Sequence, residues 1–422
     1  MPKSVFSNVD EKAREAAAKP LGELTFADMD VIGCPYHAYK RLRQEAPVFK
    51  DPVTGFYMIT RYEDISRALK DTATFSSDGM FPREEYTRPV QYGGLPVTDT
   101  MISSDPPKHK YYRGPITKVF SQARVNKMEA YIQAMADGLI DAFIDKGECD
   151  FVGQLAMPLP LNVIADQLGV PRSDLPSFKR WSDAVAIQVS GFVTEDDLVW
   201  AAKETVDFQN YFLKVIAEKK KNPTDDIITD LCAMIMDDDK PMSDVDLLST
   251  IGVILAAGNE TTTNGMSLAM LALLENPDQM QALYADPALI EAFVEESLRF
   301  DGPVQGLMRR ATCDTEVAGV KIPAGSFVSM RFTSGNRDDA KYAEPDKFDI
   351  KREDGPVHLA FGQGTHFCLG ALLARKEMLV AFRSMIKRTR NIRFRDENPD
   401  FHFERNITLR GLKHLHIAFD KA

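Results

Sequence analysis

The sequence predicts a mainly α chain with small β-sheets near its two ends, an α+β arrangement. Three observations carry this. From about Asp105 to Glu296 most of the chain reads as helices. One of these, from Ser243 to Asn276, would run for about 50 Å, enough to cross a domain core. Strand-like segments appear only before and after this helical block, around Gly55 and beyond Pro303.

Taken in order, Gly55-Phe-Tyr-Met-Ile-Thr60 follows the turn-like Asp51-Pro-Val-Thr54 and reads as a strand, and a helix from Tyr62 to Lys70 comes next. Residues 79–104, rich in Gly, Pro and Thr, read as a long loop, and long loops in compact domains are often functional. Ser243-Asp-Val-Asp246 resembles a capping box with Asp in place of Glu, and Pro277 stops the long helix. Its middle, Ile251 to Gly258, is apolar all round, as in a helix crossing a core. Thr315 to Ile322 and Ser326 to Phe332 flank Pro323-Ala-Gly325 and read as a hairpin. His414 to Phe419 alternates as a terminal strand. No linker or repeat divides the chain, so residues 1–422 read as one domain with 1–22 a flexible N-terminal segment.

Composition narrows the function. With 51 basic and 62 acidic residues the formal charge is −11, which argues against nucleic acid. Five cysteines (Cys34, Cys149, Cys232, Cys313 and Cys368) are scattered and form no C-x-x-C pair. They indicate neither a zinc cluster nor a disulfide framework, and they suit a reducing cytoplasm. The polar N-terminus has no apolar leader and the chain has no spanning stretch.

Chemistry concentrates in Phe361-Gly-Gln-Gly-Thr-His-Phe-Cys-Leu-Gly370. Glycines let a backbone turn tightly and approach a flat ligand. Cys368 sits where a helix begins, and the N–H groups there stabilise a thiolate. A lone cysteine is usually a small buried hydrophobe. Six defined positions within ten residues point further, to a thiolate held against a haem iron. This loop is similar to the haem-binding loop of the cytochrome P450 monooxygenases.

Three other segments share the resemblance, in the family's order. Ala257-Gly-Asn-Glu-Thr-Thr262 places an acid and hydroxyls inside an apolar helix, which is costly unless they are paired or wetted. Gly258 and the threonines are expected to open a small distortion there, with room for ligand or water. The stretch resembles the family's oxygen-activating segment, which implies that Glu260 and Thr261 deliver protons. Glu296 and Arg299 share a helical face. The resemblance makes them a structural brace beneath the haem, completed by Arg337 or Arg352 from the later meander. His109 and Arg113, at i and i+4, resemble the pair that binds haem propionates, with Arg309 (preferred over its neighbour Arg310) and His366 completing the set.

The resemblance implies a cytochrome P450-like fold with the long helix over haem b. It assigns Cys368 as the axial ligand, with Phe361, Gly362 and Gly258 also against the cofactor. The activity implied is insertion of oxygen from O2 into a hydrophobic small molecule, a terpenoid, aromatic or steroid. Lacking an anchor segment, the chain looks like the soluble bacterial type of the family. Two electrons would come from a separate ferredoxin and ferredoxin reductase, docking near Lys108, Lys110, Lys118, Arg375 and Lys376. Pocket residues implied are the 79–104 loop, the stretch from Trp181 to Trp200, Ile254, Val304, Leu307, Met308 and Ile407. Arg83 or Arg88 would be available for a substrate carboxylate. A peroxide-driven peroxygenase and a non-catalytic haem sensor remain as alternatives, and the intact Glu260-Thr261 pair favours oxygen activation. A zinc site or cysteine protease fits worst, because His366 and Cys368 lack further partners.

Overall fold

The computed structural model describes residues 7–79, 83–188, 190, 192–236, 240–353, 357–396, 401–403 and 406–422. A helical body occupies the middle of the chain, with sheets formed from its two ends. The long helix spans Asp244–Glu275, and 19 of its residues, among them Leu247, Ile251, Met266 and Leu273, are buried. It packs against helices Pro158–Gln167, Leu175–Gln188, Ile290–Phe300 and Ala371–Arg388. Its start is half of the expected box. Ser243 Oγ accepts from Asp246 N (3.1 Å) and donates to Asp246 Oδ2 (2.7 Å), while Asp246 Oδ1 accepts from Thr98. A complete capping box instead begins helix Glu195–Lys221, between Thr194 and Asp197.

The largest sheet has the order β1 (Val48–Lys50), β2 (Tyr57–Ile59), β8 (Phe327–Met330), β5 (Leu307–Ala311), β3 (Phe75–Ser76). A second runs β4 (Glu148–Asp150), β10 (His416–Lys421), β9 (Thr389–Phe394), and β6 (Thr315–Val317) pairs β7 (Val320–Ile322) alone. The strand expected at 55–60 and the helix Tyr62–Lys70 are both present.

Four expectations change. The hairpin does not turn at Pro323-Ala-Gly325. It closes within its first arm, where Ala318 (φ 47°) and Gly319 (φ 81°) make the left-handed two-residue turn a tight hairpin needs. The second arm, β8, leaves to pair with β2 and β5, where its buried Val328 and Met330 are covered. The 79–104 loop contains a short helix, Arg83–Thr87, and a 3₁₀ turn, Arg88–Tyr92. Ser7–Ala18, inside the segment expected to be flexible, is helical and buries Ala13, Ala16 and Ala17 against the next two helices. Finally, the long helix runs unbroken through Gly258. A Cβ there would lie 2.9 Å from two Ile164 atoms, so this glycine lets helix Pro158–Gln167 approach closely.

Candidate functional site

The cysteine loop is shaped by two left-handed glycines. Gly362 has φ 65° and Gly364 φ 72°, and a Cβ on Gly364 would also lie 2.9 Å from the Leu69 carbonyl oxygen. The turn closes when Cys368 N donates to Phe361 O (2.9 Å), and helix Ala371–Arg388 starts three residues later with Gly370 as its N-cap. Protein surrounds the Cys368 thiol on most sides, although the residue as a whole is exposed. Burial raises its pKa; the N–H groups of Gly370 and Ala371 and the charges of Arg113 and Arg375 act the other way.

Beside the thiol lies a cluster of bases. The His109 and His366 rings meet edge to face at 4.6 Å. His366 Nε2 is 3.1 Å from Ser77 Oγ and 3.8 Å from Asp105 Oδ1. Arg113 donates to the Phe367 carbonyl oxygen (2.7 Å). Arg309, on β5, is buried while Arg310 is exposed, as strand alternation requires. Its guanidinium donates to the neighbouring Met308 carbonyl (2.8 Å). Burial lowers Arg309 to about 10, with Asp105 opposing. Burial first, then the charges of Arg309 and His109, pushes His366 down to about 3, again against Asp105. Burial and Arg113 lower His109, and its buried Nε2 has no hydrogen-bond partner. Three of these bases, His109, Arg309 and His366, face one carboxylate, Asp105, with a buried donor left over. That excess fits the two carboxylates of haem, and the thiol with two N–H groups aimed at it fits an axial ligand to iron.

On the long helix, Gly258 apart, the residues between 247 and 273 that are not buried are 249, 252, 253, 256, 257, 260 and 261. That spacing is one helical face. Glu260 and Thr261 therefore share an open stripe with Ala257, the most exposed position of the run. Thr261 Oγ1 donates to the Ala257 carbonyl oxygen (2.8 Å), which leaves its lone pairs facing outward. Glu260 Oε1 accepts from Asn264 (3.4 Å).

The same stripe, at Ser249, Gly252 and Val253, forms one wall of a cavity of about 150 Å³. Its other walls are mainly Val97, Ile102, Trp181, Val185, Leu198 and Phe208. Arg88 closes the rim. It donates to Glu85 (2.7 and 2.9 Å) and to Glu195 (2.6 Å), tying the 79–104 segment to helix Glu195–Lys221. The stretch from Trp181 to Trp200 contributes as expected, but Ile254, Val304, Leu307, Met308 and Ile407 do not line this cavity. Ile254 points into the core, Val304 bridges to Leu409, and Leu307 and Met308 lie in β5. Ile407 lines a separate small crevice with Phe26, Arg331 and Arg410. Arg83 is described only in its backbone.

The brace resolves to one partner. Arg299 donates to Glu296 from Nε (2.7 Å) and Nη2 (2.8 Å), and to the carbonyls of Asn336, Pro345 and Lys347. Arg352 Nε lies 3.3 Å from Glu296 Oε2, whereas Arg337 stacks on Tyr36 and Phe300. A second brace was not legible in the sequence. Arg375 lies 4.3 Å over the Phe361 ring and binds Glu295 with two hydrogen bonds (2.6 and 2.9 Å), and His358 Nε2 is 3.1 Å from the same carboxylate. No motif spacing announces it, because its three members come from separate elements.

Of the basic residues expected to meet a redox partner, Lys108, Arg375 and Lys376 are engaged with Asp99, Glu295 and Glu129. Lys110 and Lys118 are exposed, as is the Phe367 ring beside the cysteine.

Comparison with known proteins agrees with this geometry. The Cytochrome P450 family model matches residues 199–413. The chain is 35% identical to a steroid C26-monooxygenase of Mycobacterium tuberculosis, over 90% of this chain and 93% of the relative. It is 33% identical to the cytochrome P450 monooxygenase PikC of Streptomyces venezuelae, over 96% and 95%. Among solved structures, CYP109E1 from Bacillus megaterium in complex with corticosterone superposes with a TM-score of 0.80 at 31% identity, covering 91% of this chain and 98% of that one. No described helix is long and apolar enough to cross a membrane. With the family model covering half of the chain and relatives matched over nearly their whole length, the chain belongs to the cytochrome P450 family and is a haem-b monooxygenase.

Proposed function

We propose that the protein hydroxylates a small-to-medium hydrophobic molecule, a steroid or terpenoid of rigid shape, with electrons from a separate ferredoxin and its reductase. The observation that carries this is the continuity of the open stripe. It runs from the apolar cavity at Ser249, Gly252 and Val253 to Glu260 and Thr261 without changing face.

Haem b supplies the redox chemistry by which one oxygen atom enters a C–H bond and the other leaves as water. In this reading Cys368 would ligate the haem iron, kept electron-rich but shielded by Phe361 and by the N–H groups of Gly370 and Ala371. Arg309, His109, Arg113 and His366 hold the propionates. Cavity walls such as Trp181 and Phe208 exclude water and orient substrate by contact rather than by hydrogen bonds. Glu260 exchanges protons with solvent, and the Thr261 hydroxyl positions the donor at the reacting end of the cavity. A steroid is favoured among hydrophobic substrates because two of the similar proteins are named for one or bind one. A ferredoxin would meet Lys110, Lys118 and Phe367, which are exposed near the thiolate.

The test is spectroscopic. Reduced protein exposed to carbon monoxide should give the thiolate-type absorption band, and Cys368→Ser should lose it; a wild-type band of imidazole type would sink the assignment. Titration with steroids and terpenoids should then shift the haem absorption, and a response only to small polar aromatics would overturn the substrate class.

A further inference from the structure

Far from the haem concavity, three side chains of metal-binding type converge at the N-terminal end of the fold. A carboxylate oxygen of Asp10, the Sγ of Cys34 and a ring nitrogen of His37 lie within 4.8 Å of one another, each half-buried. They come from three elements. Asp10 lies in helix Ser7–Ala18, Cys34 caps the end of helix Met29–Gly33, and His37 opens helix Tyr36–Glu45. We propose that this cluster binds one Zn²⁺ ion, with water as the fourth ligand.

The donor set is the argument. One thiolate, one imidazole and one carboxylate are the borderline-soft combination that zinc accepts, and calcium or magnesium would not choose a sulfur. His37 Nε2 already lies 2.6 Å from Asp10 Oδ1, so these two donors share one spot. Tetrahedral zinc holds its ligand atoms about 3.3–3.8 Å apart, given bonds of about 2.0–2.3 Å. The three donors reach that geometry by shifts of roughly an ångström. Asp10 Oδ2 is occupied by Arg14 (2.9 Å), which leaves Oδ1 to the metal and fixes the carboxylate's orientation.

Charge is consistent with an ion here. A carboxylate and a thiolate neutralise a divalent cation. The two arginines whose charges act on Cys34 are already engaged: Arg410 donates to Asp301 (3.1 Å), and Arg337 lies 3.7 Å from Asp346. Half-burial leaves one side open for water.

The consequence is mechanical. The Ser7–Ala18 helix rests on its neighbours through small residues, Ala13, Ala16 and Ala17. A bound ion would cross-link it to the two helices beneath. Since binding to the native state alone adds stability, zinc should raise the unfolding midpoint.

The test uses the holoenzyme, freed of adventitious metal by dialysis against a chelator, with the exposed Cys313 changed to Ser to remove a competing thiol. The haem holds Cys368, so the remaining readout belongs to the cluster. After incubation with Zn²⁺ and gel filtration, zinc analysis should find one equivalent per chain, and ¹¹³Cd in its place should give one NMR resonance in the range of a single-thiolate site. Both should be lost in Cys34→Ser and in His37→Gln, with the haem spectrum unchanged. If Cys34→Ser does not fold, His37→Gln and Asp10→Asn carry the comparison. Absence of stoichiometric zinc in the parent protein overturns the proposal, and so does an equivalent that survives these substitutions.

Discussion

Thr261 and Glu260 illustrate how much a single helical face decides. Most of their neighbours on the long helix are buried, and these two stay partly open because they fall on its less-buried stripe. The Thr261 hydroxyl spends its proton on the Ala257 carbonyl, so it can accept and orient rather than donate outright. Replacing it with alanine should therefore leave electron uptake running while product falls by roughly tenfold, the loss expected of one proton-relay group. The check is product formed per reductant consumed; an unchanged ratio would remove Thr261 from the relay. Gly258, two residues before Glu260, acts by letting Ile164 come close to the helix.

At the level of elements, the cysteine loop depends on backbone that only glycine adopts at ease. Gly364→Ala would have to hold φ near 72° and press a methyl against the Leu69 carbonyl. A cost of about 1–3 kcal/mol is expected, read in urea titrations together with a lower haem-to-protein absorbance ratio. Gly138→Ala, mid-helix with open space around its Cβ, serves as the control and should stabilise by about 0.5–1 kcal/mol. The loop is also held by the contact between helices Ile290–Phe300 and Ala371–Arg388. There, burial alone would push Glu295 up, but hydrogen bonds from His358 and Arg375, with their charges, hold it at about 2. A depressed carboxyl contributes in full above its unfolded value near 4.5, and that contribution is lost as pH falls from there towards 2. Up to about 3 kcal/mol is at stake. Urea midpoints measured across that window should fall in the parent protein and stay flatter in Glu295→Gln.

For the whole molecule, the Glu296–Arg299 pair joins the helical body to the meander that precedes the cysteine loop. Arg299 is fully buried and binds three carbonyls from that meander besides its acid. Arg299→Met would leave the buried Glu296 carboxylate with only Arg352 and the Asp349 N–H, and should cost about 3–5 kcal/mol, seen as a lower unfolding midpoint. If the midpoint moves by less than a degree, the pair is not the brace its burial implies. Local chemistry made part of this legible beforehand. The Gly and Cys spacing of 361–370, the apolar run around Ile251, and the stop at Pro277 act over a few residues, so sequence reading reached the long helix, the helix at Tyr62–Lys70 and the thiol. Alternation likewise separated buried Arg309 from exposed Arg310. Other features depend on partners hundreds of residues away. Strand β8 leaves its apparent hairpin because β2 and β5 offer a better-covered place, Arg352 rather than Arg337 reaches Glu296, and Ile407 turns away from the cavity that Trp181 and Phe208 line. The amino-acid sequence alone determined the cofactor class and the helical frame, since both follow from short-range spacing. Only the tertiary structure decided which side chains enclose the apolar cavity and which charges meet, because burial and long-range pairing exist only once distant segments have packed.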